Sequence, residues 1–158
     1  MGGPAQSNRP ATSFSGASQY VSVPYSAGLN TNPFSVEVWA YPTGGAGTYR
    51  GVLSSRFYPN GWIIYGASNN DWQLWINNVS SMTVLDGGPM ALNQWTHLVA
   101  TFDGTTARLY VNGTQVASGA ITTYTPNPSG ALNIGQGEAG GAFFFPGSLD
   151  EPAVYNVA

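Results

Sequence analysis

The sequence predicts an all-β fold, in which two antiparallel sheets pack face to face as a jelly-roll sandwich. Three observations carry this prediction. Short alternating segments recur along the chain, turn-forming residues separate them, and no window combines a 3.6-residue period with helix caps. Because each sheet leaves one apolar face that a second sheet must cover, we expect about a dozen strands in two packed layers.

The clearest β segment lies between Trp95 and Gly119. Asp103-Gly104 interrupts it with a turn signal, and Asn112-Gly113 is the dipeptide that favours a type I′ hairpin turn, because both residues tolerate positive φ. The pattern therefore predicts an antiparallel meander of three strands, Thr96–Phe102, Ala107–Val111 and Thr114–Ser118.

The remaining strands follow from the same alternation. Phe34 to Tyr41 alternates most cleanly, with Phe34, Val36 and the next two even-numbered residues on one face. Trp39 and Trp95 are expected in the core. The other predicted strands are Thr12–Phe14, Tyr20–Val23, Gly51–Ser55, Trp62–Tyr65, Trp72–Ile76, Met82–Leu85, Leu132–Ile134 and Gly147–Tyr155.

Length and composition predict one domain with a real core. The chain has 158 residues, no cysteine and no lysine, and only 7% of its residues are charged. Thiol chemistry and disulfides are therefore excluded. A net charge of −3 provides no basic patch for nucleic acid or anionic lipid, and no apolar run approaches the ~18 residues that span a membrane.

Residues 1 to 10 form a predicted N-terminal arm, and residues 11 to 158 the domain. The arm has no charged region followed by an apolar one, so it does not resemble a secretion signal. Either the chain is a module of a longer secreted protein, or it is a complete product that needs no secretion. We expect an extracellular or virion-surface location.

Several motifs resemble one family. Trp-x-His-Leu-Val-Ala-Thr-Phe-Asp-Gly, followed by Leu-Tyr-Val-Asn-Gly-x-x-Val, resembles the laminin-G-like branch of the concanavalin A-like lectin and glucanase superfamily. Phe14 to Pro24 with Phe34 to Ala40 is similar to the opening of that family, and Phe145 to Asn156 to its closing strand. The resemblance covers roughly residues 11 to 158. It implies the sandwich fold and leaves function open, because this fold carries lectins, adhesion modules, enzymes and scaffolds.

Catalysis is not expected. Glucanases of the superfamily use carboxylates two and four residues apart on one strand, and none of the seven carboxylates here has that spacing. Asp150 and Glu151 are adjacent, so on a strand they point to opposite faces. His97 is the one histidine, and we expect a structural residue that hydrogen-bonds a neighbour on a sheet.

The resemblance also implies one structural calcium ion at the edge of the sandwich. Asp150 matches the position of its carboxylate ligand, and backbone carbonyls would come from Ser15 or Gly16. The aspartate of the family's opening Phe-Asp-Gly is Ser15 here, which departs from the pattern. Alternatively, Asp150 accepts backbone hydrogen bonds that hold the terminus in place.

Carbohydrate binding is predicted from aromatic residues interleaved with amides and arginines, because sugar C–H faces stack on rings and hydroxyls need donors and acceptors. Alternation places Trp72 on one face with Leu74 and Ile76, which also fits the core, and Trp75 on the other. The predicted carbohydrate-binding residues are Tyr49, Arg50, Arg56, Tyr58, Trp62, Trp72 and Trp75.

Phe143, Phe144 and Phe145 cannot all face one core, so at least one is expected in a subunit interface or a binding-site wall. The alternative is a loop that folds back over the sandwich. Two functions remain open. The first is a non-catalytic carbohydrate-binding or adhesion module whose partner is a glycan. The second is a structural protein of an assembled surface, such as a phage decoration or fibre protein, which uses the arm and the phenylalanines for protein contacts.

Overall fold

The computed structural model describes residues 10–77, 82–137 and 143–158. Within these ranges the chain forms twelve strands and one short 3-10 helix, Ala27–Leu29. The strands are β1 (Thr12–Ser15), β2 (Val21–Val23), β3 (Phe34–Pro42), β4 (Arg50–Phe57), β5 (Asn60–Gly66), β6 (Asp71–Asn77), β7 (Met82–Pro89), β8 (Thr96–Phe102), β9 (Thr106–Val111), β10 (Thr114–Ala120), β11 (Leu132–Ile134) and β12 (Pro146–Tyr155). The predicted all-β fold is confirmed, whereas the arm lies outside the described residues except for Pro10.

Two six-stranded antiparallel sheets form the sandwich. Sheet A has the strand order β1-β12-β3-β8-β9-β10, and sheet B has the order β2-β11-β4-β5-β6-β7. The meander of β8, β9 and β10 is as predicted, and Asn112 and Gly113 turn between β9 and β10 with φ of 51° and 80°. None of the helices in the three described ranges is long and apolar enough to cross a membrane.

The core lies between the inner faces of the two sheets. In β3, Phe34, Val36, Val38 and Ala40 are at most 1% exposed, as their alternation predicted. Sheet B contributes rings to the same core, and the rings of Phe34 and Trp62 stack at 5.6 Å. This packing defines the outer face of each sheet, since alternate residues of every strand must point away from the core.

Two tryptophans lie elsewhere than predicted. Trp39 and Trp95 were expected in the core, but both are only partly buried. Trp39 alternates with the buried residues of β3 and stacks on His97 at 4.8 Å on the outer face of sheet A. The core prediction was wrong because the motif was given more weight than the alternation along β3. That alternation places Val38 on the inner face of the sheet and Trp39 on the outer face.

His97 has the structural role that the sequence predicted. Its Nε2 lies 3.0 Å from Glu37 Oε2, and the hydroxyl of Tyr155 donates a hydrogen bond to Glu37 Oε1 at 2.5 Å. Because β3 is the neighbour of both β8 and β12, Glu37 ties three strands together on the outer face of sheet A.

Candidate functional site

Four rings meet on the outer face of sheet B and form the aromatic cluster of Tyr49, Tyr65, Trp75 and Phe143. Tyr49 lies 5.3 Å from both Tyr65 and Trp75, and 5.7 Å from Phe143, measured between ring centroids. Tyr65 lies 5.1 Å from Trp75. All of these pairs meet edge to face, the arrangement that aromatic quadrupoles favour, so the rings hold one another in fixed orientations.

Strand alternation explains how sheet B presents this cluster. Trp72, Leu74 and Ile76 of β6 point into the core, so Trp75 points outward, and Tyr65 of β5 lies on the same face. Tyr65 is 1% exposed and forms the base of the cluster, while Tyr49, Trp75 and Phe143 are partly exposed around it. The cluster therefore exposes parts of three rings to solvent.

Phe143 reaches the cluster because the chain folds back over sheet B before β12. The Phe143 carbonyl accepts hydrogen bonds from the amides of Gly51 and Gly137, at 2.9 and 3.0 Å. Both glycines are required by close approach, since a Cβ on Gly51 would lie 1.8 Å from Gly137 N and a Cβ on Gly137 would lie 2.4 Å from the Tyr65 ring.

An open depression of about 610 Å³ adjoins the aromatic cluster and shares Tyr49 and Phe143 with it. Its wall is formed by three loops and the turn after β1. The other lining residues are Gly16, Gly45, Gly47, Thr48, Arg50, Ser68, Phe144 and Pro146. A volume of this size is within the range of small-molecule and saccharide sites.

Arg50 holds the loops around this depression together. The side chain is 1% exposed, and its guanidinium donates to the carbonyls of Gly44 and Ala67 and to Asn70 Oδ1, at 3.2, 2.8 and 3.0 Å. Asn70 Oδ1 also accepts the amide of Gly47 at 3.0 Å. Burial lowers the pKa of the Arg50 guanidinium from its usual value, and the group stays charged because that value is so high.

A row of polar side chains, Asn69, Asp71, Gln73 and Asp86, continues from the cluster along β6 and β7. The indole N–H of Trp75 donates to Gln73 Oε1 at 2.9 Å, and Gln73 Nε2 donates to Asp86 Oδ2 at 2.8 Å. Asn69 Nδ2 donates to both carboxylates, at 2.7 Å to Asp71 and 3.2 Å to Asp86. The orientation of Trp75 is therefore coupled to this polar row.

The two carboxyl groups of the row have pKa values shifted in opposite directions. Burial, repulsion by Asp86 and a hydrogen bond with it raise the pKa of Asp71. For Asp86 burial also acts upward, but hydrogen bonds from Gln73, Gly88 and Asn69 outweigh it and lower the pKa.

The structure brings only part of the predicted carbohydrate site together. Tyr49 and Trp75 lie in the aromatic cluster, and Arg50 lies beneath the adjoining depression. Trp62 and Trp72 are each 1% exposed in the core, so their assignment as ligand platforms was wrong. Both are on the inner face because they alternate with the outward-pointing residues of β5 and β6.

Arg56 and Tyr58 lie at the opposite end of β4 from Tyr49. Six residue positions separate Arg50 from Arg56, which is about 20 Å of strand. The guanidinium carbon of Arg56 lies 5.4 Å from the centre of the Tyr58 ring, and that ring is 72% exposed at the tip of the β4–β5 hairpin. These two residues therefore belong to a separate surface.

The three consecutive phenylalanines lie in a segment that folds back over the sandwich, which was the alternative prediction for them. Phe145 is fully buried in the core, which corrects its assignment to an interface. Phe143 belongs to the aromatic cluster. Phe144 is partly buried, lines the depression and lies 6.1 Å from the ring of Tyr20. Phe143 and Phe144 both line the depression, so for these two the binding-site wall stays a prediction.

The residues predicted for calcium do not fit a common site. Ser15 pairs with Pro146, four positions along β12 from Asp150, which corresponds to about 13 Å. Gly16 packs against Pro146, and Asp150 accepts the backbone amide of Glu151 at 3.0 Å. In the described ranges no three His, Cys, Asp or Glu residues are grouped so as to hold a metal ion. Calcium binding therefore stays a prediction, but Ser15, Gly16 and Asp150 are not brought together as its ligands.

Sequence reasoning missed Tyr65 and Asp86 as members of the site. The alternation that places Trp62 and Ile64 inside also places Tyr65 outside, so this signal was present. Asp86 lies beyond the predicted strand Met82–Leu85, but β7 continues to Pro89 and pairs Asp86 with Gln73. That register is a contact between strands, and no local pattern in the sequence indicates it.

Comparisons with known proteins identify the fold family. A laminin G family model, described as belonging to the concanavalin A-like lectin/glucanases superfamily, matches residues 15–158. Mouse pappalysin-1 is 28% identical over 123 residues, which cover 68% of this chain. The match spans 8% of the length of that protein.

Two solved carbohydrate complexes have the same fold. The CBM40 domain of the Ruminococcus gnavus IT-sialidase, bound to α2,3-sialyllactose, superposes with a TM-score of 0.73 at 14% identity, covering 94% of this chain and 90% of that one. Domain 4 of the extracellular arabinanase AbnA from Geobacillus stearothermophilus, in complex with arabinotriose, gives 0.66 at 23% identity, covering 92% and 69%. These similarities give no support to the virion-surface alternative.

Proposed function

Because this chain belongs to the laminin G family of the concanavalin A-like lectin/glucanase superfamily, we propose that it is a non-catalytic, lectin-like module that binds carbohydrate outside the cell. Two structural neighbours that hold saccharides support this proposal, and one of them is part of an extracellular enzyme. The binding site is the aromatic cluster together with the adjoining depression.

One observation carries the proposal. Trp75 is held edge-on by Tyr49 and Tyr65 while its indole N–H is bonded to Gln73, so a partly exposed ring is fixed beside polar groups. A sugar ring presents C–H bonds on its faces and hydroxyls at its edge, and it needs both kinds of surface. Rings that are already fixed lose little conformational entropy on binding, which favours affinity.

A glycan array on the wild-type protein, with arabinotriose and α2,3-sialyllactose included, is the first test. Isothermal titration with the best saccharide then compares Trp75→Ala and Tyr49→Ala with the wild type. We expect each change to weaken binding at least tenfold, about 1.4 kcal/mol, because each removes a ring from the platform.

Tyr58→Ala is the matched control, since Tyr58 is an exposed aromatic at the other end of β4. It should leave the affinity unchanged, and circular dichroism should report the same fold for all three variants. Binding that depends on Tyr58 and not on Trp75 would contradict the assigned site. The absence of binding to every saccharide on the array would contradict the function.

A further inference from the structure

The depression has an unusual charge distribution. Among the described residues that line it, Arg50 is the one charged residue, and the three acceptors of its guanidinium are two backbone carbonyls and an amide oxygen, all of them neutral. Its Nε, also buried, has no hydrogen-bond partner. Within the described residues, no carboxylate lies at ion-pair distance from this guanidinium.

A buried cation without a counter-charge is costly, and proteins generally pair such groups or neutralise them. Arginine cannot be neutralised at ordinary pH, so its positive field persists. Because the group lies in a poorly solvated region beneath the depression, that field is screened less than the field of a surface charge.

The two carboxylates of the polar row, Asp71 and Asp86, lie outside the depression. Asp71 and Asp86 are bonded to Asn69, and Asp86 also to Gln73, and neither carboxylate lines the depression. The site thus has a positive group at the depression, and two carboxylates on the polar row of β6 and β7, at the end of β6 that lies toward Arg50.

We propose that the depression selects an acidic saccharide, one that carries a carboxylate as a uronic acid does, and that Arg50 is the cation that selects it. This inference rests on the proposed function. Since Arg50 is only 1% exposed, it acts through its field and through the loops that it holds, and Thr48 and Ser68 line the part that a ligand reaches.

Because the chain has a negative net charge, a preference for an acidic saccharide indicates a local cation at the site. At −3 the molecule as a whole disfavours anions, so a preference for an acidic ligand must come from a local cation. Arg50 is the cation at the depression, whereas Arg108 lies on the outer face of sheet A and pairs with Asp103 at 2.8 Å.

Titration of the wild-type protein with trigalacturonic acid and with its methyl ester is the direct test, because the two saccharides share rings and linkages and differ in charge. We expect the acid to bind on the order of tenfold more tightly at constant ionic strength. Equal or tighter binding of the ester would overturn the inference.

Variants then assign the preference to one residue. Arg50→Met should abolish the difference between acid and ester, while Arg50→Lys should weaken both ligands by loosening the loops but keep the difference, because lysine retains the charge without the planar fork. Arg108→Met makes the same change in net charge on the other sheet and should leave the difference intact. A loss of the difference in Arg108→Met as large as in Arg50→Met would overturn the assignment.

The outcomes also separate this inference from the function on which it rests. If Arg50→Met does not fold, the wild-type pair of titrations still tests the preference for the acid. Arg50→Lys then tests whether that preference is kept when the charge is kept. If a neutral glycan binds through Trp75 while trigalacturonic acid does not bind, the inference is wrong and the proposed function stands. If no saccharide binds, both are wrong.

Discussion

Asp103 satisfies four donors within the short turn between β8 and β9. Its Oδ1 accepts from the amide and the hydroxyl of Thr105 and from the amide of Thr106, at 2.8 to 2.9 Å. Its Oδ2 accepts from Arg108 at 2.8 Å. These four donors, Arg108 first, hold the pKa of the Asp103 carboxyl well below its usual value.

Two substitutions separate the contribution of the ion pair to stability from that of the hydrogen bonds within the turn. Asp103→Asn keeps the amide oxygen for the turn and loses the ion pair, so we expect a smaller loss of stability than for Asp103→Ala, which removes every acceptor. Urea unfolding at pH 7 measures both losses. Equal stability of the two variants would contradict this division of roles, because it would mean that the three bonds to Oδ1 contribute nothing.

The same residue predicts a pH dependence. A carboxyl whose folded pKa is depressed contributes stability fully above its unfolded pKa, near 3.8, and loses that contribution as the pH falls toward the folded value. Asparagine does not titrate, so the stability difference between wild type and Asp103→Asn should shrink as the pH falls below about 4. A difference that grows in acid would contradict this sign.

At the scale of elements, the segment around Phe143 decides whether the aromatic cluster exists. Its carbonyl bonds to Gly51 and Gly137 hold it across β4. We expect Gly51→Ala to displace this segment, because the added Cβ would lie 1.8 Å from Gly137 N, and overpacking of this kind costs about 1–3 kcal/mol.

The binding assay and thermal unfolding test this displacement together. Gly51→Ala should lower both the melting temperature and the affinity for the saccharide, since Phe143 leaves Tyr49 and Tyr65. Gly44→Ala is the matched control in a neighbouring loop, where no atom lies within 4 Å of an added Cβ. A Gly51→Ala protein with wild-type affinity would remove Phe143 from the site.

Local signals explain what the sequence could predict. Alternation placed Trp75 outside and Leu74 inside, and Asn112-Gly113 marked a hairpin, because neighbours in sequence determine both features. The contact of Phe143 with Tyr49 joins residues more than ninety positions apart, and the pairing of Gln73 with Asp86 depends on strand register. Such contacts follow from tertiary packing, which no single window of sequence encodes.

At the scale of the whole molecule, one aromatic group joins the two sheets. Phe34 of sheet A lies 5.6 Å from Trp62 of sheet B, 5.9 Å from Phe102 and 5.6 Å from Tyr124, and Phe102 lies 5.1 Å from Tyr124. Burial raises the pKa of Tyr124, as expected for a phenol enclosed in this group. Because both sheets bury their inner faces against the same rings, neither is expected to persist alone.

This shared core predicts cooperative unfolding. Phe34→Ala should reduce the free energy of unfolding by about 3–5 kcal/mol, a large part of the ~5–15 kcal/mol of a typical domain. Phe57→Ala is the matched control, because the same truncation at a side chain that is 46% exposed leaves a smaller cavity and should cost much less. Urea unfolding followed by tryptophan fluorescence and by circular dichroism should give coincident transitions for all three proteins, since the sheets separate and unfold in one step. Transitions that do not coincide would mean that one sheet holds its structure after the other is lost, which would contradict a single core centred on Phe34.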